Sequence, residues 1–195
     1  MAAMLTHGGK MVDLLNVTPE DIDLDDIAHA LANINRFTGH ALRPYSVAEH
    51  SINVARLLPE PIKIYGLLHD AHEAYIGDIS TPLKKSLAVF ASTISFREML
   101  DEIEKNVDTA IYSALKVPPP GTLIQQAVKY ADTTMAVKEM RELFDTPPPA
   151  GRWLIDETLP LPRWKLYGAD EAERVIWSNA FRTAVLAAAE ASHYA

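Results

Sequence analysis

Cysteine is absent from all 195 residues, which removes disulfides, thiolate metal sites and a cysteine nucleophile together. Any metal on this chain must therefore be held by nitrogen and oxygen. No apolar run approaches the roughly 20 residues of a membrane span, and Met1–Lys10 carries neither a long apolar run nor a small-residue cleavage pattern. A soluble, unprocessed, cytoplasmic protein with no membrane partner is expected. Positive charge is also scarce: 18 Lys and Arg against 26 Asp and Glu leave a net charge of −8. A nucleic acid polymer is thereby disfavoured as a partner, because nonspecific affinity for it comes from clustered cations. A small phosphorylated ligand is not, since a few local cations and a metal suffice. Runs of alternating apolar and polar residues joined by hairpin turns are missing too, as are internal repeats and low-complexity tracts.

Helical periodicity is what remains, and with 48% hydrophobic residues the chain is long enough for one well-buried core. We expect an all-α, single-domain helical bundle over 1–195. A first helix starts near Asp21 to Asp25, carries Leu24, Ile27, Ala28, Leu31 and Ile34 on one side, and ends near Gly39. The second opens with Ser46 three residues before Glu49, a capping-box spacing, and places Val47, His50, Val54 and Leu57 on one inward face. The third begins after Pro59 and Pro61 and runs to about Tyr75, with Gly77 as its stop. A fourth spans about Thr93 to Leu115, with Phe96, Met99, Leu100, Ile103, Val107, Ala110, Ile111 and Ala114 as its apolar stripe, and Pro118 to Pro120 end it. In the fifth, Thr122 and Gln125 repeat the capping-box spacing, and Ile124, Ala127, Val128, Ala131 and Met135 form the buried side. The segment 145–168, with its prolines and Trp153 and Trp164, is too irregular for a helix and is placed over the core or a site. An Ala-rich last helix from about Asp170 to Ala191 carries Val175, Ile176, Ala180 and Val185.

Inside the third helical stretch stands the pair His69-Asp70, in a run otherwise made of Ile64, Tyr65, Gly66, Leu67, Leu68 and Ala71. An imidazole beside a carboxylate is a good start to a divalent metal site, but two ligands do not close a coordination sphere. His50 and Asp132 can complete it, each on or beside a buried stripe where an uncompensated carboxylate costs several kcal/mol. The competing account is a pair of separate His–Asp hydrogen bonds in the core.

At these residues the chain resembles the HD-domain metal-dependent phosphohydrolases, whose pattern is H…HD…D on separate helices, met in order by His50, His69, Asp70 and Asp132. More narrowly, Arg36-Phe37, Ser46–Ser51, His69–Glu73, Gly77-Asp78, Thr81–Lys84 and Val128–Asp132 look like the bacterial 5′-deoxynucleotidase branch, and small phage dATP triphosphohydrolases are similar at the same places. The resemblance covers roughly residues 10 to 145. It implies an HD-domain bundle and a divalent metal ion, with Mn, Co, Zn, Fe, Ni and Mg all compatible with two imidazoles and two carboxylates. It also implies a homo-oligomer, a dimer or larger.

Glu73, one turn after His69, is then the general base on the attacking water, and Asp78 the acidic group that orients the nucleophile or protonates the leaving oxygen. Arg36, Lys84 and Lys129 match phosphate-binding cations. Phe37, where relatives often carry Trp, stacks on sugar or base, and Gly39, His40 and Arg43 shape the nucleoside pocket. His72 is expected to pack in the core or support a ligand. The activity implied is a dNTP triphosphohydrolase that prefers dATP and releases deoxynucleoside and triphosphate. The alternatives are a 5′-deoxynucleotidase acting on dNMPs, a non-catalytic nucleotide-binding HD protein, and a hydrolase of cyclic nucleotides or guanosine tetraphosphate.

Overall fold

The computed structural model describes residues 3–90, 96–146, 158–166 and 171–192. It is a helical bundle. Its α-helices are α1 (Leu24–Asn33), α2 (Val47–Arg56), α3 (Lys63–Leu68), α4 (Glu73–Ile76), α5 (Thr81–Phe90), α6 (Phe96–Ala114), α7 (Thr122–Glu142) and α8 (Glu171–Ser192). One small sheet accompanies them: β1 (Ala3–Leu5) pairs antiparallel with β2 (Met11–Asp13), a hairpin the alternation pattern missed because each strand has only three residues. The hairpin is tied to α1 by a parallel stack of His7 on His29, ring centroids 3.6 Å apart.

Local signals explain where the helices begin and stop. Asp23 caps α1 by accepting from Asp25 N–H, and Ser46 caps α2 by accepting from Glu49 N–H. Helix α1 ends at Asn33 rather than near Gly39: Ile34 turns extended, Val47 N–H bonds to its carbonyl, and a 3₁₀ turn over Arg36–Gly39 follows. In that turn Phe37 and Thr38 sit at φ near +55°, and Gly39 at +77° leaves the turn in a conformation that suits glycine. Thr122 is the first residue of α7, not its cap; Gly121 holds the cap position with no side-chain bond, so that second capping box does not form.

Helices α1, α2, α3, α7 and α8 surround the core, with Ile27, Leu31, Val47, Val54, Ile64, Leu68, Met135, Phe181 and Val185 at its centre. Gly66 lets α3 lie close on α2: a Cβ there would meet Ala55 Cα at 2.9 Å. That approach brings His50 on α2 toward His69 just beyond α3. Two expected stripes hold except at single positions. On α6, Met99 is exposed while Leu100, Val107, Ala110 and Ile111 are buried; on α8, Val175 and Ile176 face outward while Phe181 and Val185 face the core. Residues 93–95, 147–157 with Trp153, and 167–170 lie outside the described residues. Within 158–166, Leu166 is buried, its N–H donates to Glu142 Oε2 at 3.0 Å, and the Trp164 ring lies 4.7 Å beneath the Arg56 guanidinium, so this stretch lies over the core.

Candidate metal centre

His69 follows the last residue of α3, where the continuous helix of the sequence reading is interrupted. Its Nδ1–H donates to the Gly66 carbonyl at 2.8 Å. A carbonyl only accepts, so the proton is fixed on Nδ1 and the Nε2 lone pair is left free. From Leu68 to Glu73 the backbone tightens into i to i−3 bonds, Ala71 N–H to Leu68 and Glu73 N–H to Asp70, before α4 restarts the helix.

His50, fully buried on α2, is set the same way by a different partner. Its Nδ1 lies 2.6 Å from Oε1 of Glu139, also fully buried, on α7. The two Nε2 atoms then meet at 3.3 Å, and Asp70 Oδ2 lies 3.1 Å from that of His69 and 3.6 Å from that of His50. Atoms that each sit ~2.1 Å from a shared ion are separated by roughly 3.0–3.5 Å. These three side chains are thus spaced so that they could hold a metal ion, with ligand atoms mutually within 4.8 Å among the described residues. Asp132 on α7 joins from the His50 side, Oδ1 at 3.4 Å from His50 Nε2, while its Oδ2 accepts from Lys129 Nζ at 2.8 Å.

The electrostatics fit this donor set. Burial alone would push the Asp70 and Asp132 carboxyls up, but the neighbouring histidines outweigh it and both pKa values fall, so both are ionised. Burial and Arg36 pull His50 down, yet Glu139 and Asp132 win and raise it to about 9 in the cation-free protein. Cation uptake must therefore displace a proton. Arg36 is clamped behind the cluster, Nε at 3.1 Å from Glu139 Oε2 and Nη1 at 3.5 Å from Asp70 Oδ2.

Two curated proteins match this chain along most of its length. The uncharacterized protein YfdR of Escherichia coli K12 is 35% identical over 143 residues, 73% of either chain. The chain belongs to its family. An uncharacterized protein of Rhodobacter capsulatus is likewise 35% identical over 144 residues, 69% of either chain. No family model matches.

A cavity of about 770 Å³ opens beside the cluster, between the end of α3, α6 and the first half of α7. Of the residues singled out in the sequence, His69, Asp70, Lys129 and Asp132 line it. Arg36, Phe37, Gly39, Glu73, Asp78 and Lys84 are not on its wall. Phe37 packs edge-on against Phe144 at 5.2 Å, Gly39 and His40 are exposed, and Arg43 donates to the Leu166 carbonyl. Lys84 is paired with Glu104 of α6 at 2.8 Å. The wall is acidic, with Asp101, Glu104 and Asp108 added to Asp70 and Asp132 against Lys105 and Lys129.

Glu73, the first residue of α4, is 9% exposed, and its Oε2 is buried with no hydrogen-bond partner among the described residues. Burial first, then the charges of Asp70 and Asp78, raise its pKa to about 8. Asp78, half-buried in the loop after Gly77, is raised by burial and Asp70 against the pull of Arg36. Glu139 carries no metal-ligand pattern in the sequence; its one signal is its place two turns after Asp132, on the same side of α7.

His72 bridges α4 to α6, its Nδ1 3.1 Å from Asp108 Oδ1. Burial pulls its pKa down, but the hydrogen bond and charge of Asp108 raise it to about 9. Because the folded value lies above the unfolded 6.5, the stabilisation is complete below pH 6.5 and disappears as pH rises through 9. Denaturant unfolding of His72→Gln is expected to show a deficit at pH 6 that exceeds the one at pH 9.5 by on the order of 2 kcal/mol. Equal deficits at both pH values count against the ion pair.

Proposed function

We propose that this protein is a metal-dependent phosphohydrolase acting on 2′-deoxynucleoside 5′-phosphates, with the HD-domain arrangement its sequence resembles. One observation carries the proposal: a buried and a half-buried imidazole with their Nδ1 atoms engaged and their Nε2 atoms turned on a common point, closed by Asp70, at the edge of a cavity large enough for a nucleotide. His50, His69 and Asp70 hold the ion, with Asp132 as fourth ligand. When bound, the ion lowers the pKa of water and neutralises charge on the phosphoryl group.

The remaining work falls to the protein's own groups. Glu73 takes the proton of the attacking water at its unpartnered oxygen. Arg36, held through Nε, presents Nη donors beside Asp70 for a phosphoryl oxygen. Asp78 returns a proton to the departing 5′ oxygen. The bond broken is the same for either tail length: water adds to the α-phosphorus and the P–O5′ bond breaks. A dNTP yields deoxynucleoside and triphosphate, the product pair we favour, with dATP the leading substrate, whereas a dNMP yields deoxynucleoside and phosphate.

A monophosphate is the second reading, and the acidic cavity wall favours it: five carboxylates against two lysines repel a polyphosphate tail. Incubating Mn²⁺-loaded protein separately with dAMP and dATP, then resolving products by chromatography, separates the two. Deoxyadenosine with intact triphosphate supports the first reading, and deoxyadenosine with phosphate from dAMP the second. Tight nucleotide binding with no product from either leaves a nucleotide-binding protein and refutes the catalytic proposal.

A further inference from the structure

We infer that Glu139 is a positioning residue that sets the protonation pattern of His50 and thereby decides whether the cluster accepts a cation. This rests on the cation site proposed above and adds a group that neither motif nor spacing assigns. Glu139 is a fully buried carboxylate on α7 that divides its oxygens between two partners: Oε1 faces His50 Nδ1 at 2.6 Å, and Oε2 faces Arg36 Nε at 3.1 Å. The buried Tyr45 hydroxyl, with Arg36 and His50, favours its ionised form.

A buried charge of this kind is costly unless every neighbour serves it. Here each neighbour is a donor, as an ionised carboxylate requires. What it returns is orientation. With one proton held at Nδ1, His50 turns Nε2 toward His69 and Asp70, so the proton that a cation displaces is the one on Nε2, and Arg36 is anchored by Nε with its Nη1 against Asp70. One side chain thus ties the imidazole of the metal cluster to the cation beside it.

The substitution Glu139→Gln separates this role from simple packing, because an amide of the same shape offers one acceptor and one donor group in place of two acceptors. Arg36 Nε–H can only donate, so the amide oxygen stays with Arg36. The amide N–H₂ then faces His50 Nδ1, which becomes the acceptor by moving its proton to Nε2 and pointing it into the cluster. Mn²⁺ affinity, measured by isothermal titration calorimetry on the full chain, is expected to fall by roughly 10- to 100-fold, the usual cost of losing a ligand's supporting partner. Nitrogen-15 NMR at alkaline pH without metal is expected to place the His50 proton on Nε2 in the variant and on Nδ1 in the wild type. A merely structural role would lower the melting temperature and leave Mn²⁺ affinity and the tautomer of the folded protein unchanged; that result overturns the inference. Wild-type protein that takes up no Mn²⁺ overturns it together with the cation site. Should Glu139→Gln not fold, the Zn²⁺-loaded wild type decides: an Nδ1-protonated His50 supports the role, and an unprotonated Nδ1 overturns it.

Discussion

Asp70→Ala is expected to retain no divalent cation through desalting and to turn over neither dAMP nor dATP. Its Oδ2 is the carboxylate atom of the close triad, 3.1 Å from His69 Nε2 and 3.6 Å from His50 Nε2. The same atom lies 3.5 Å from Arg36 Nη1 and offsets that guanidinium. Removing it does two things at once: a ligand is lost, and Arg36, which keeps Glu139 but loses Asp70, becomes a less fully offset positive charge beside the cation position. Affinity should drop by more than the roughly 10–100-fold that follows loss of a supporting partner. Elemental analysis of purified protein and a chromatographic activity assay check this, and wild-type metal content with wild-type turnover would refute the site. The two histidines favour ionised Asp70 more than Asp132 opposes it, so the substitution also removes a favourable charge, and a circular dichroism spectrum matching the wild type is the control that separates loss of the cation from loss of the fold.

Much of this was legible in the chain because it rests on signals that span a turn or two. Ser46 before Glu49 marks the start of α2, and the inward face it sets carries His50 to the core. The helical class follows from the same periodicity, and the meeting of His69, Asp70 and His50 was legible from their chemistry as metal ligands and from the H…HD…D resemblance. What was hidden depends on contacts between distant segments. The break after Leu68 arises because His69 Nδ1 takes the Gly66 carbonyl, a side-chain bond that competes with the helix ladder and leaves no mark on the apolar pattern. Phe37 and Thr38 adopt left-handed backbone though neither is glycine, so nothing local announces the turn that carries Arg36 to Glu139. Glu139 itself reads as an ordinary charge on a helix until α2 and the turn after α1 close over it. On α8, alanine at six of the positions between 180 and 191 blurs the stripe, and the choice between Val175 and Phe181 as inward residues is made by packing against α1 and α3.

Glu73→Gln should leave cation content intact and lower the turnover rate by roughly 10²–10⁴, the contribution of a positioned general base. Glu73 belongs to α4, not to the close triad, so its amide isostere withdraws no ligand atom. It does withdraw a carboxylate oxygen, Oε2, that is buried and without a hydrogen-bond partner among the described residues. Its pKa, pushed to about 8 by burial and by Asp70 and Asp78, gives the substitution a second readout. The folded value lies above the unfolded 4.5, so the folded state binds more protons between these limits and the wild type loses stability as pH rises from 4.5 through 8. Glutamine carries no such cost. In cation-free protein the variant should therefore melt at a higher temperature than the wild type at pH 8.5 and match it near pH 4.5, while its activity stays low throughout. Full activity in Glu73→Gln would transfer the base function to another group. Equal melting temperatures at pH 8.5 would mean that the buried carboxylate is not held at the cost its surroundings imply.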